Sequence, residues 1–434
     1  MDTYRSADLP TEVLAPPTEP VSFRFRLFLT LTVMSSLITS LPVLQLLLPA
    51  QVALLDPQHK VVSLGLVTTI GGLSALVGPP LFGALSDRTT SRFGRRRPWI
   101  LAGTLLAAVM LLLLGYASTL LVVTLAWALV SVGQDMQVGG FEAITPDHLP
   151  ERQRGGMYGL LVLATPLSQI SGTLLIVALL AATHHTLVPS YIALSLLSVA
   201  LVSLFLMTFH EQPLPAGVMP PLRLRAFVAS FWINPRTSPH FTSAWLTYFL
   251  VILGVSLGAS YLNYYLRDVI HYASLFPGHT VEQGVAILTV VGAICFPLSS
   301  LLFGWLSDRL QRRKVFVVGA ALLMALGLLL PAVLHSWLAV VLYSVLSNLG
   351  VGAFLAPALA LLTQLLPRAQ DRGKDMGIVN MGSAIPGFLA PPLGAIAISS
   401  FAGSVGTGYS LLFVLATILV ILGAVLVLPI KGVR

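Results

Sequence analysis

The sequence predicts an all-α membrane protein of twelve transmembrane helices, set as two pseudo-symmetric six-helix bundles. Three observations carry this. Of the 434 residues, 56% are apolar and only 9% are charged, whereas a water-soluble domain has about 25% charged residues with which to cover its surface. The apolar residues fall in runs of about 20, the length that crosses a hydrocarbon core, without the alternation of a barrel strand, so the backbone must be satisfied within helices. Finally, LFGALSDR at 81–88 returns as LFGWLSDR at 302–309, with seven of eight letters alike.

In order, the first span is expected at 25–48, beyond a Pro-rich polar tail (1–20) read as disordered, with no cleavable signal ahead of it. Span two (62–86) holds Gly71, Gly72, Gly78, Pro79, Pro80 and Gly83, and span three (98–117) follows a run of arginines. Span four (120–143) contains two carboxylates, span five (155–182) contains Gly159, Pro166 and Gly172, and span six is 187–209. A loop at 210–239 with six prolines divides the chain, so the halves are 21–209 and 240–434. Spans seven to twelve are expected at 240–267, 280–306, 314–333, 336–362, 375–400 and 408–430. Span eight repeats the softening pattern with Gly292, Pro297 and Gly304, and span eleven does so with Gly382, Pro386, Gly387, Pro391, Pro392 and Gly394.

Orientation follows from Lys and Arg. The tail, the loops after even-numbered spans and the C-terminus hold 22 of the 24, and the other side keeps Lys60 and Arg267. Short loops rich in Lys and Arg stay cytoplasmic, so both termini are expected there. The net charge of +8 is therefore a topology signal, and nucleic acid is not an expected partner. The lipid bilayer is. LPERQRGGMYG (149–159) corresponds to LPRAQDRGKDMG (366–377), so the halves share one orientation and a path between them is expected.

The repeated stretch places Gly83 and Gly304 about one turn before Asp87 and Asp308. Glycine allows close helix approach in lipid. An aspartate at a helix C-terminus opposes the dipole and needs a cation, which Arg88, Arg92, Arg95, Arg96 and Arg97 can supply. Arg309, Arg312, Arg313 and Lys314 serve the second copy, and a plain solvated anchor is the other reading of both.

SDRTTSRFGRRRPWI, between spans two and three of twelve, resembles the signature loop of the major facilitator superfamily. More narrowly it resembles that of sucrose–proton symporters and of glycoside–pentoside–hexuronide cation symporters, as does GGFEAITPDHLPERQRG. The resemblance covers essentially the whole chain. It implies that Asp87, Arg88 and Arg95, with Arg96, Asp308 and Arg309 beside them, close a cytoplasmic gate, and that spans two, five, eight and eleven line the seam between halves. One departure stands out. Plant sucrose carriers place an aspartate three residues after a tryptophan in span four, but here Val130 follows Trp127 at that spacing.

Asp135 lies past the middle of span four, where a charge costs roughly 2.5–3.5 kcal/mol on insertion scales. An embedded carboxylate can take a proton from one side and release it on the other; a pairing or water-lined structural role is the alternative. Glu142, two turns on, is either a partner of the span-two loop arginines or a second coupling group. The matching stretch of the second half, NLGVGAFLAPALAL, has no carboxylate. Gln45, Gln134, Gln169, Asn263, Asn348 and Asn380 are amides within spans, suited to sugar hydroxyls. Tyr261, Tyr264 and Tyr265 form either an outer gate with a sugar platform or an interfacial aromatic belt, and Arg267 and Asp268 are expected to reach the interface. Cys295 is expected to pack. No metal-ligand spacing, P-loop or nucleophile motif is present, so neither an enzyme nor a cofactor is expected beyond protons as the coupling ion. The expected activity is proton-coupled uptake of a sugar or glycoside by a monomer in the plasma membrane, with proton-driven export of drugs or amphipathic metabolites as the alternative.

Overall fold

A computed structural model describes residues 19–211, 213, 239–310, 312–365, 372–401 and 404–430, without the side chains of 308, 372–378 and 405. The N-terminal tail and the 210–239 linker lie almost wholly outside the described residues, as does the first half of LPRAQDRGKDMG (366–371). The described residues contain twelve helices long and apolar enough to cross a membrane. We number them α1 (Phe23–Leu55), α2 (Lys60–Asp87), α3 (Arg97–Gly115), α4 (Leu120–His148), α5 (Glu151–Ala182), α6 (Val188–Thr208), α7 (Pro239–Asp268), α8 (Val281–Ser307), α9 (Arg313–Val333), α10 (Trp337–Gln364), α11 (Val379–Ser399) and α12 (Gly406–Leu426). Several run past the apolar spans expected for them. The α5 helix begins at Glu151 and α4 continues to His148, because charged residues propagate a helix beyond the hydrocarbon as readily as apolar ones do.

Within each half the helices pack on one another, α1 on α5 and α6, α2 on α4 and α3 on α4 and α6; then α7 on α11 and α12, α8 on α10 and α9 on α10 and α12. The halves meet chiefly through α2 with α11 and α5 with α8. Exchanging each helix for its counterpart six places away in the other half, α2 for α8 and α11 for α5, turns one pair into the other, as a twofold axis along the membrane normal requires. These are the four helices in which the sequence concentrates Gly and Pro.

Three irregularities position the residues of interest. Pro42 has no N–H for the carbonyl four residues back, and α1 widens behind it into a π turn at Val43–Leu47 that the Leu48 N–H closes onto Val43 O. The α2 helix breaks at a 3₁₀ turn, Ser74–Leu76, and restarts at Gly78 under Pro79 and Pro80. The α7 helix breaks at Tyr261 and resumes at Leu262–Asp268.

Candidate functional site: the seam and its buried carboxylate

At the end of the bundle away from the termini, the halves are bonded shut. Lys60 Nζ, at the start of α2, lies 2.6 Å from Asp268 Oδ1 at the end of α7. The Tyr264 hydroxyl donates to Pro49 O at 2.9 Å, and the Tyr261 hydroxyl to Val61 O at 3.2 Å and Pro391 O at 2.7 Å. Asn263 Nδ2 reaches Gln45 O at 3.5 Å. Tyr261, Tyr264 and Tyr265 are fully buried rather than set in a surface belt; Tyr261 and Tyr264 bond across the seam, whereas Tyr265 donates to Pro331 O of its own half. Tyr264 serves the seal in this state and faces no open site. Asp268 does not reach out to headgroups: its oxygens are held by Lys60 and by the Tyr409 hydroxyl at 3.0 Å.

At the opposite end the flanks of α5 and α8 are uncovered. Tyr158, Leu298, Leu301 and Trp305 are all exposed, and a side chain at Gly155 or Gly159 would meet open space. A cavity of ≈ 380 Å³ opens there between α1, α4 and α5, walled by Leu29, Val33, Phe141, Tyr158 and Leu161, with Glu142 in its lining.

Asp135 is buried in the middle of this arrangement. Its carboxyl packs against Gly78, where α2 restarts, so closely that any Cβ on residue 78 would overlap it. The Ser74 hydroxyl of the 3₁₀ turn lies beside it, and Oδ2 has no partner. No described cation pairs with it. Gln134, its neighbour, reaches Thr39 Oγ1 of α1 at 3.4 Å, and Gln169 Nε2 donates to Gln45 Oε1 at 3.0 Å. The remaining amides are not brought to this cluster. Asn348 donates to Ser344 O at 2.8 Å against Gly292 of α8, and Asn380 is exposed on α11.

The loop arginines bind within their own half. Arg96 meets Asp87 at 2.5 Å and Asp147 at 2.9 Å; Arg95 meets Asp147 at 2.8 Å and Glu211 at 3.2 Å. Glu211 also accepts from the Arg96 backbone N–H at 2.8 Å. Gly94, at φ +94°, turns the loop so that it runs under the Glu211 side chain, a conformation and a clearance that only glycine supplies. Glu142 is therefore not the partner of these arginines; Asp147 and Glu211 are, one turn further along α4 and just beyond α6. The network clamps the ends of α2, α4 and α6 into one body. Gly83 crosses Gly139 of α4, and Arg88 donates to Ala84 O at 2.7 Å. In the second copy Gly304 faces Ala356, and Arg309 stacks 5.2 Å over the Trp305 ring; the Asp308 side chain lies outside the described residues.

A family model for the Major Facilitator Superfamily matches residues 25–300 and 279–433. The chain belongs to that superfamily. Among superfamily relatives it is similar to the "Multidrug resistance protein MdtG" of Salmonella dublin, with 29% identity over 281 residues, 62% of this chain and 61% of that one. The match therefore spans less than two thirds of that relative. The Arabidopsis thaliana "Sucrose transport protein SUC4" is 46% identical, over 48 residues, 11% of this chain and 9% of that one. Among solved structures, a mutant of the nucleoside transporter NupG superposes at TM-score 0.72 with 13% identity, covering 94% of this chain and 100% of that one. The peptide transporter POT in complex with sulfate superposes at 0.74 with 12% identity, covering 96% of each chain. At such identities the superpositions establish the fold alone.

Proposed function

We propose that the chain is a proton-coupled carrier that works by alternating access, with Asp135 as the coupling group and both termini cytoplasmic in the plasma membrane. In that orientation the bonded end is the outer one, and the structure is inward-facing. The observation that carries coupling is the setting of Asp135: a buried carboxyl without a cation partner, resting on the break of a seam helix. A group so placed is close to neutral in cost when protonated and expensive when charged. Its protonation and the shape of α2 are therefore linked. The cargo we assign is a sugar or glycoside, taken up with the proton. The amide pair of Gln45 and Gln169 and the local likeness to a sucrose carrier support this cargo.

One observation favours a second cargo. The cavity beside Glu142 is lined mainly by apolar and aromatic side chains, a setting for an amphipathic cation that would be exported. A thermal-shift comparison of sucrose with tetraphenylphosphonium on the purified protein separates the two, since a bound ligand stabilises by mass action.

Coupling is tested by Asp135→Asn in reconstituted vesicles with an imposed pH gradient. Exchange of labelled for unlabelled substrate should persist within about threefold, because exchange moves no net proton, while accumulation and substrate-driven proton flux should fall at least about tenfold. Undiminished proton-driven accumulation would overturn the assignment.

A further inference from the structure

Between two seats on α4, the α2 helix is interrupted. Gly71 rests on the Trp127 indole and Gly78 on the Asp135 carboxyl, each so closely that a Cβ would overlap what lies beneath it. Seven residues apart, the two glycines stand two turns along one face of α2. The 3₁₀ turn Ser74–Leu76 fills the interval, and of the residues between the glycines only Ser74 carries a polar side chain.

A serine hydroxyl has one proton to donate, and at Ser74 two acceptors are within reach. It donates to Gly71 O at 3.2 Å, three residues back in its own helix, and stands beside the Asp135 carboxyl. A serine bond to a preceding carbonyl competes with the regular ladder and bends a helix. The ladder changes at this point: the Leu73 N–H reaches Thr69 O, four residues back, whereas the Leu76 and Val77 N–H groups close onto Leu73 O and Ser74 O, three back. Of the helices packed on α4, α2 presents Ser74 and Gly78 to the carboxyl, α1 meets the neighbouring Gln134 through Thr39, and α3 meets Gly133 through Gly103. Among the described residues no cation pairs with Asp135, and Glu142 of its own helix faces the cavity.

We propose that Ser74 is the positioning residue that transmits the charge state of Asp135 to α2, by sharing its one hydroxyl proton between Gly71 O and the carboxylate. When Asp135 is ionised, its carboxylate is the stronger acceptor, since a hydrogen bond to an ionised group is roughly twice as strong as a neutral one. The hydroxyl then turns away from Gly71 O, and the side-chain bond that bends α2 is given up. When Asp135 is protonated, its own O–H donates to Ser74 Oγ and the hydroxyl returns to Gly71 O. No proton is gained or lost by Ser74; only the direction of its O–H changes, and Gly71, seated on Trp127, receives the change. The switch rests on Asp135 as the coupling group, and its test keeps the two apart.

The full-length chain is titrated in nanodiscs, without substrate, by infrared spectroscopy. The carbonyl stretch of a protonated carboxyl is assigned to Asp135 by its loss in Asp135→Asn. Tryptophan emission is followed over the same range, and the part due to Trp127 is the part missing in Trp127→Phe. In the parent both signals should change with one midpoint. Ser74→Ala should raise the infrared midpoint by about one pH unit, because the carboxylate loses a donor, and should shrink the Trp127 response at least about threefold. Ser74→Thr, which keeps the hydroxyl, should restore both. A midpoint that stays in place in Ser74→Ala, a Trp127 response of parental size, or no recovery in Ser74→Thr overturns the switch and leaves Asp135 as the coupling group. A parent with no Asp135 band anywhere between about pH 4 and 9 overturns both.

Discussion

Asp135 and Gly78 form a contact between a carboxyl and a bare backbone, and the missing side chain is what allows a charge-bearing group to sit there. A methyl group at 78 must push the carboxyl or α2 aside; overpacking of this kind costs about 1–3 kcal/mol. Gly78→Ala should therefore reduce proton-driven accumulation at least about tenfold and lower the melting temperature of the purified protein. Gly387→Ala, where nothing lies within 4 Å, should do neither. Equal tolerance at both positions would show that the contact is incidental. Asp135 was legible in the sequence because a carboxylate well inside an apolar run is conspicuous whatever surrounds it. Its neighbours were not, since Ser74 and Gly78 look like any small residues of a membrane helix until α2 is laid on α4.

At the scale of elements, the breaks in α2 and α1 follow from prolines that can be counted in the sequence, whereas the clamp on the loop arginines does not. Arg95 and Glu211 are 116 residues apart, and no local pattern in the stretch after α6 marks Glu211 as their partner. The sequence points to Glu142, because it lies two turns beyond Asp135, nearer the cytoplasmic end of span four. The helix turn after Phe141 instead leaves it facing a cavity and brings Asp147 to the arginines. Glu211→Ala removes one of the two carboxylates on Arg95, leaving Asp147, and takes the acceptor from the Arg96 N–H. Removing one partner of a buried ionic network costs about 3–5 kcal/mol, and the melting temperature should fall by several degrees. A melting temperature within one degree of the parent would mean that the clamp adds little to the body formed by α2, α4 and α6.

For the whole molecule, twelve spans and two halves could be read from apolar length and from the internal repeat, while the seam helices came from the family resemblance, with which their Gly and Pro content agrees. The state of the seam could not, because it depends on pairs such as Lys60 and Asp268 that are 208 residues apart and meet only when one end closes. The first copy of the repeated stretch is followed by the longer arginine-rich loop, whose Arg95 and Arg96 are clamped by Asp147 and Glu211, whereas in the second Arg309 lies over the Trp305 ring and Arg313 donates to Ala360 O. Charge removal at Asp87 should accordingly have the larger effect on transport. Asp87→Asn is expected to slow net transport at least about fivefold, with Asp308→Asn closer to the parent; the reverse order in a vesicle uptake assay would assign the controlling gate to the second half.

The π turn in α1 has a consequence for how that helix is read along its length. A π turn accommodates one additional residue, about 100° of rotation in a regular helix, so the stretch beyond Leu47 is phased differently from the stretch before Pro42. A helical wheel drawn straight through 23–55 would assign the wrong face to everything on the far side. The carbonyls of Gln45 and Pro49, which receive Asn263 and Tyr264 from the other half, owe their direction to that offset. From the turn onward one length of chain thus serves two partners, its own bundle through Gln51 with Leu114 O and the Tyr191 hydroxyl, and the opposite half through the carbonyls of Gln45 and Pro49.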